Sequence, residues 1–230
     1  MLVITAHRHD QVAQALVSRW ATSGASLLTC ADLSANGWRY YQGSPANSRA
    51  LVGGQKVAVE HITGVLNRLT CVFEQELAGM VARDRSYAAA EMTAFLCSWL
   101  ADLKCPVLNR VTPTCLAGPY WRPERWVAAA ACVGIPVRPV QRRAAFPMRS
   151  FPERPDTTIP SISAIADLSV PVTIVGKRCF GAVDETLARQ ARQLAEMASV
   201  ELLTVHLVVL NEEHSFCALT CDQTSPLTAR

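Results

Sequence analysis

No two of the nine cysteines form a Cys-x-x-Cys pair, and none has metal-finger spacing, which excludes the usual structural zinc modules. Lysine-rich runs and RNA-type aromatic motifs are also missing. The net charge is only +3, carried mostly by arginine, so composition argues against a nucleic-acid partner. No apolar run exceeds strand length, which leaves no candidate membrane span. The opening MLVITAHRHD lacks a basic segment ahead of an apolar core, which argues against a signal peptide. Together with the odd thiol count, that points to reduced cysteines in the cytoplasm. Most of the thiols sit in apolar segments, such as Cys97 in TAFLCSWL and Cys132 in VAAAACVG, where cysteine acts as a small hydrophobe. There is no internal repeat and no long low-complexity tract.

What is present is a folded protein of 230 residues, half of them hydrophobic and 18% charged. That is enough for one large domain or two small ones. Residues 2–6 (LVITA) read as a buried strand. Asp10 is placed to cap a helix running to about Ser23, with Ala13, Leu16, Val17 and Trp20 on one face. Gly24 and a second strand, ASLLTC, complete a β–α–β opening that favours a parallel sheet. Residues 31–54 suggest a strand or two, with turns at Asn36-Gly37 and Gly53-Gly54, and residues 57–69 suggest two short strands. The clearest helix spans 84–103. Asp84 stands at its start, and Tyr87, Met92, Phe95, Leu96, Trp99 and Leu100 recur at helical spacing. A further helix begins near Pro123 and stops at Gly134. Trp121 and Trp126, beside Tyr120, read as core and helix-end packing, with a partner surface as the alternative.

From Arg138 to Pro160 the chain holds five arginines and five prolines, the composition of an extended connector or arm. Arg142, Arg143, Phe146, Arg149 and Phe151 are its candidates for gripping a protein partner, because exposed phenylalanines favour docking. Beyond it, 171–175 and 178–182 pair across Gly176-Lys177 as a hairpin. An amphipathic helix follows at 184–198, and a second hairpin joins 201–210 to 216–221.

Several of these segments resemble the RimK-like ATP-grasp ligases. Glu91 lies in the long helix, followed by Pro106-Val107-Leu108-Asn109 and then Gly134-Ile135-Pro136. VLNRL (65–69) resembles the family's strand ending in arginine, and PVTIVGKRCFGAV its late strand pair. The match covers about two thirds of the chain. It implies an α/β fold: an open, mostly parallel pre-ATP-grasp domain over 1–137, a connector at 138–168, and a small α+β remnant of an ATP-grasp lobe at 169–230. The family places acidic magnesium ligands on its closing strands. Here the first carries His206 with no acid after Glu201, and the second has Thr220, Cys221 and Asp222 where Glu-x-Asn belongs. Only about thirty residues separate Val140 from Pro171, too few for the family's ATP lid.

Three functions follow as expectations. The first is a non-catalytic binding or scaffold subunit of homo- or hetero-oligomeric form, with a protein partner, no resident cofactor and no catalytic residue. The alternative is a minimal ATP- and magnesium-dependent carboxylate–amine ligase using Lys177, Arg178 and Asp222. The weakest is a metal-dependent hydrolase built on His7 and His9, although the plain reading of that segment is a strand-to-helix loop in which Asp10 caps the helix. His7, His9, Arg68, Asn109 and Arg110 all fall at carboxyl ends of strands, where ligands gather in open α/β sheets. An arginine there suits a carboxylate, against the ordinary reading of a solvated loop. Cys217 and Cys221 share a strand face, which suits packing more than metal or redox chemistry.

Overall fold

The computed structural model describes residues 1–137, 169–209 and 216–222. The chain groups into two compact units, Met1–Tyr120 with Ser199–Leu202, and Trp121–Ala198 with Leu203–Asp222.

The first unit is built on a four-stranded parallel sheet: β1 (Leu2–Thr5), β2 (Ala25–Leu28), β5 (Gly64–Asn67) and β6 (Val107–Leu108), in the order β2-β1-β5-β6. Val3 pairs with Ser26 on one side and Val65 on the other. The crossover between β1 and β2 is α1 (Gln11–Arg19), capped as expected by Asp10, whose Oδ1 accepts from the Ala13 amide at 3.0 Å. A short helix, α2 (Cys30–Leu33), occupies part of a stretch read from sequence as extended. Its turn is closed by Thr29 and Asp32 in a capping box.

A hairpin of β3 (Arg49–Val52) and β4 (Gln55–Ala58) turns through Gly53-Gly54, as the sequence indicates. Both glycines have positive φ, 57° and 75°, the requirement of a two-residue primed turn. A Cβ at Gly53 would also lie 2.8 Å from Ser26 Oγ.

Helix α3 (Arg85–Asp102) buries Ala89, Leu96, Trp99 and Leu100. They join Val3, Leu28, Val65, Leu69 and Leu116 in one core. Trp38 meets both Trp99 and Phe95 edge-on, at 5.4 and 5.1 Å. Two expectations fail on this helix. Asp84 makes no side-chain cap; Arg85 instead ties the entry, donating to Met80 O and Ala78 O at 3.0 and 2.9 Å. Tyr87 is 72% exposed, because α3 is apolar on most sides and its spacing alone does not single out the buried stripe.

The second unit carries α4 (Pro123–Cys132), the hairpin of β7 (Ser169–Val175) and β8 (Arg178–Phe180), α5 (Glu185–Ala198), β9 (Leu202–Val209) and β10 (Phe216–Asp222). The sheet order is β10-β9-β7-β8, with β7–β8 and β9–β10 antiparallel. Helix α5 buries Leu187, Ala188, Ala191, Leu194, Ala195 and Ala198, and Asp184 caps it through the Leu187 amide at 2.8 Å. The sequence places a boundary at 137, yet α4 packs on α5 and β10. Trp126 is buried, Trp121 stacks on it at 4.7 Å, and Arg125 lies over Trp121 at 4.1 Å. Tyr120, beside them in sequence, is 75% exposed. Cys132 is exposed too, at the last turn of α4, where Ala129 and Ala130 take the buried face. Among the described residues no helix is long and apolar enough to cross a membrane.

Candidate functional site

The carboxyl ends of β1, β5 and β6 are where an open α/β sheet presents a crevice, and in the first unit their polar side chains bond to the protein itself. Thr5 and Asn67 end neighbouring strands and are 0% and 1% exposed. The Thr5 hydroxyl donates to Asn67 Oδ1, which also accepts from the Leu69 amide at 3.2 Å, and Asn67 Nδ2 donates to Leu116 O. Asn109, 1% exposed, donates from Nδ2 to Leu202 O at 2.9 Å. Its Oδ1 accepts from the Glu201 and Leu202 amides at 2.9 and 2.7 Å. A buried amide with every bond made to backbone acts as a latch. Asn109 therefore orders the start of β9, where the sequence suggested a ligand group.

Arg68 is likewise engaged. Its Nε donates to Asp10 Oδ2 at 2.8 Å and its Nη2 to Oδ1 at 3.4 Å. Burial by itself raises the Asp10 carboxyl, but the Arg68 bond, the Ala13 amide and the Arg68 charge outweigh it and hold the group below its usual range. The pair clamps the start of α1 to the end of β5. Arg110, just past β6, is exposed.

The two amino-terminal histidines have different surroundings. His7 Nδ1 lies 2.8 Å from Glu76 Oε1, and its ring meets Phe73 at 5.0 Å. His9 is exposed. Among the described residues, no three histidine, cysteine, aspartate or glutamate side chains gather where they could hold a metal.

In the second unit, Lys177 and Arg178 are exposed at the β7–β8 turn, with Arg178 over the Phe180 ring at 5.1 Å. Asp222 pairs with Thr204, and Thr220 with His206, across β9 and β10. The strand order puts β8 and β10 on opposite edges of the sheet, so the turn and Asp222 are not brought together. Thr204 is buried, and its hydroxyl is 3.1 Å from that of Thr173. Arg142, Arg143, Phe146, Arg149 and Phe151 lie outside the described residues.

The first unit has a groove of about 910 Å³ beside α3. Small residues of the helix, among them Ala90, Ala94 and Cys97, form one wall, and Cys71, Thr112 and Cys115 contribute to the rest. The sequence reading missed this groove, the Asp10–Arg68 pair and the role of Glu76. It had one signal for the asparagines. Val-Leu-Asn-Arg occurs twice, at 65–68 and 107–110, and the copies pair in register, Val65 with Val107 and Leu66 with Leu108.

No family model matches this sequence, and no curated protein matches it. Solved structures do. A macrocyclase from Microcystis aeruginosa MRC, bound with its precursor peptide, is similar at a TM-score of 0.70 and 11% identity, over 97% of this chain and 91% of that one. A RiPP-associated ATP-grasp ligase from Chryseobacterium gregarium, in complex with ADP and a leader and core peptide, is similar at 0.61 and 10%, over 97% and 89%. The ATP-grasp ligase PsnB, complexed with a minimal precursor, is similar at 0.61 and 11%, over 99% and 91%. With its four-stranded parallel sheet and mixed α/β make-up, this chain has the fold of the ATP-grasp ligases.

Proposed function

We propose that the chain is a non-catalytic subunit of ATP-grasp fold that binds a peptide or protein partner. The observation that carries this reading is the chemistry of the closing strands. Magnesium takes hard oxygen ligands, carboxylates above all, and ATP-grasp ligation needs that metal to neutralise the transferring phosphoryl group. Between them, β9 and β10 hold one acidic residue, Asp222, set across from Thr204, while His206 faces Thr220. The bonded state of Arg68 and Asn109 supports the same reading, since neither is left to grip a substrate carboxylate. A peptide is the partner class favoured by the neighbours, which were solved with precursor peptides. Nine cysteines with no Cys-x-x-Cys or metal-finger spacing suit the cytoplasm.

Calorimetric titration with magnesium–ATP tests the proposal. The expected result is no binding up to millimolar nucleotide, and micromolar affinity would overturn it. The neighbours' activity favours minimal ligation as the second reading. That reading requires ADP release with an amine and a carboxylate, abolished in Asp222→Ala.

A further inference from the structure

Two cysteines, Cys71 and Cys115, line the groove beside α3 from neighbouring segments. The Leu116 amide donates to Thr70 O at 3.0 Å, and Cys115 and Cys71 are the residues next to that bond. Standard backbone dimensions then keep their Cα atoms within about 8 Å of each other. Both line the same groove. A disulfide spans Cα separations up to about 7 Å, so a shift of about an ångström joins them.

Both residues lie outside the helices and strands. Cys71 sits between β5 and α3. Cys115 closes a tight turn in which Thr112 N donates to Cys115 O at 2.9 Å and Cys115 N to Thr112 O at 3.2 Å. Cys97 also lines the groove, with Sγ 3.7 Å from Thr112 O, but it is fixed within α3.

We propose that Cys71 and Cys115 are a reversible oxidation site that forms an intramolecular disulfide with a peroxide as oxidant. The half-buried Cys71, as thiolate, attacks one peroxide oxygen. The O–O bond breaks, Cys71 becomes a sulfenic acid, and the departing hydroxide takes a proton to leave as water. The Cys115 thiolate then attacks the Cys71 sulfur. An S–S bond forms, the S–O bond breaks, and a second water leaves with the proton Cys115 gave up. Two thiols are oxidised and one peroxide is reduced to two waters. Burial pushes the Cys115 thiol up, and the nearby Cys71 adds to the effect, so the second step quickens as pH rises. The bond ties the segment after β5 to the 112–115 turn and stiffens that wall of the groove.

The test treats the reduced full-length protein with hydrogen peroxide, blocks the remaining thiols under denaturing conditions, and maps peptides without reduction. The expected product is a peptide pair joined at Cys71 and Cys115, two hydrogens lighter than the reduced pair. It is lost on phosphine treatment, absent in Cys71→Ser and kept in Cys97→Ser. A cross-link to Cys97, a bond between two chains, or sulfinic acid at Cys71 without a cross-link would each overturn the proposal. The wild-type mapping decides the matter even if a serine variant fails to fold.

Discussion

In the first unit, Thr5, Asp32, Ser48, Asn67 and Asn109 are buried polar residues; in the second, Thr204 is the one such residue among those described. The difference follows from how each unit satisfies its backbone. In the second, hairpins and helices pair most N–H and C=O groups locally, so apolar patterning suffices. The first sends the chain from parallel strand ends into irregular loops, whose buried amides and carbonyls need side-chain partners. Asp32 shows the pattern, accepting from the Gly54 amide at 2.8 Å and the Thr29 amide at 2.9 Å. The lesson for function is that polar groups at strand ends serve folding here, and a strand-end asparagine or arginine is not a ligand site by position alone.

The sharpest way to break this contrast is Asn109→Ala. It leaves the Glu201 and Leu202 amides and the Leu202 carbonyl without their partner, each worth about 1–3 kcal/mol when buried. We expect a loss of about 4 kcal/mol, read by amide hydrogen exchange at β5 and β6. Exchange unchanged there would show that the latch is dispensable.

In the second unit the matching disruption is apolar. Leu194 in α5 is 0% exposed, and Leu194→Ala should cost about 3 kcal/mol through lost burial and the cavity left behind. Faster exchange in α5 and β7 would report it. A loss under 1 kcal/mol would show that this helix is not anchored by its apolar face.

The smallest expected effect sharpens the contrast through pH. Asp10 has its carboxyl held below the usual 3.8, so its pairing stabilises the fold above about pH 4. That contribution fades as pH falls through the lowered folded value. Arg68→Ala should cost about 2 kcal/mol at neutral pH, a figure discounted for the pair's partial exposure. It should also flatten the acid limb of a urea-midpoint titration. An unchanged acid limb would mean that the pair contributes little.

Patterning was legible wherever the bonds are short in sequence. Asp10 capping α1, the Gly53-Gly54 turn, the hairpin at Gly176-Lys177 and the buried stripe of α5 all rest on neighbours within a few residues. Helix α3 was legible as a helix but not in its facing, since a helix apolar on most sides hides which stripe is buried. Exposed Tyr87 follows from that. Cys132 went wrong for a similar reason: in VAAAACVG every position looks like core.

By itself the sequence determined most of the elements, their order and the ATP-grasp character of the motifs, because propensity and hydrophobic period act over a turn or a strand. Tertiary structure decided what the polar residues at the strand ends do. Asn109 meets Leu202 across 93 positions and Arg68 meets Asp10 across 58, and no local pattern encodes which distant amide or carboxylate a side chain will reach. A buried polar group takes the partner that folding brings within hydrogen-bond distance, and that choice belongs to the packed chain.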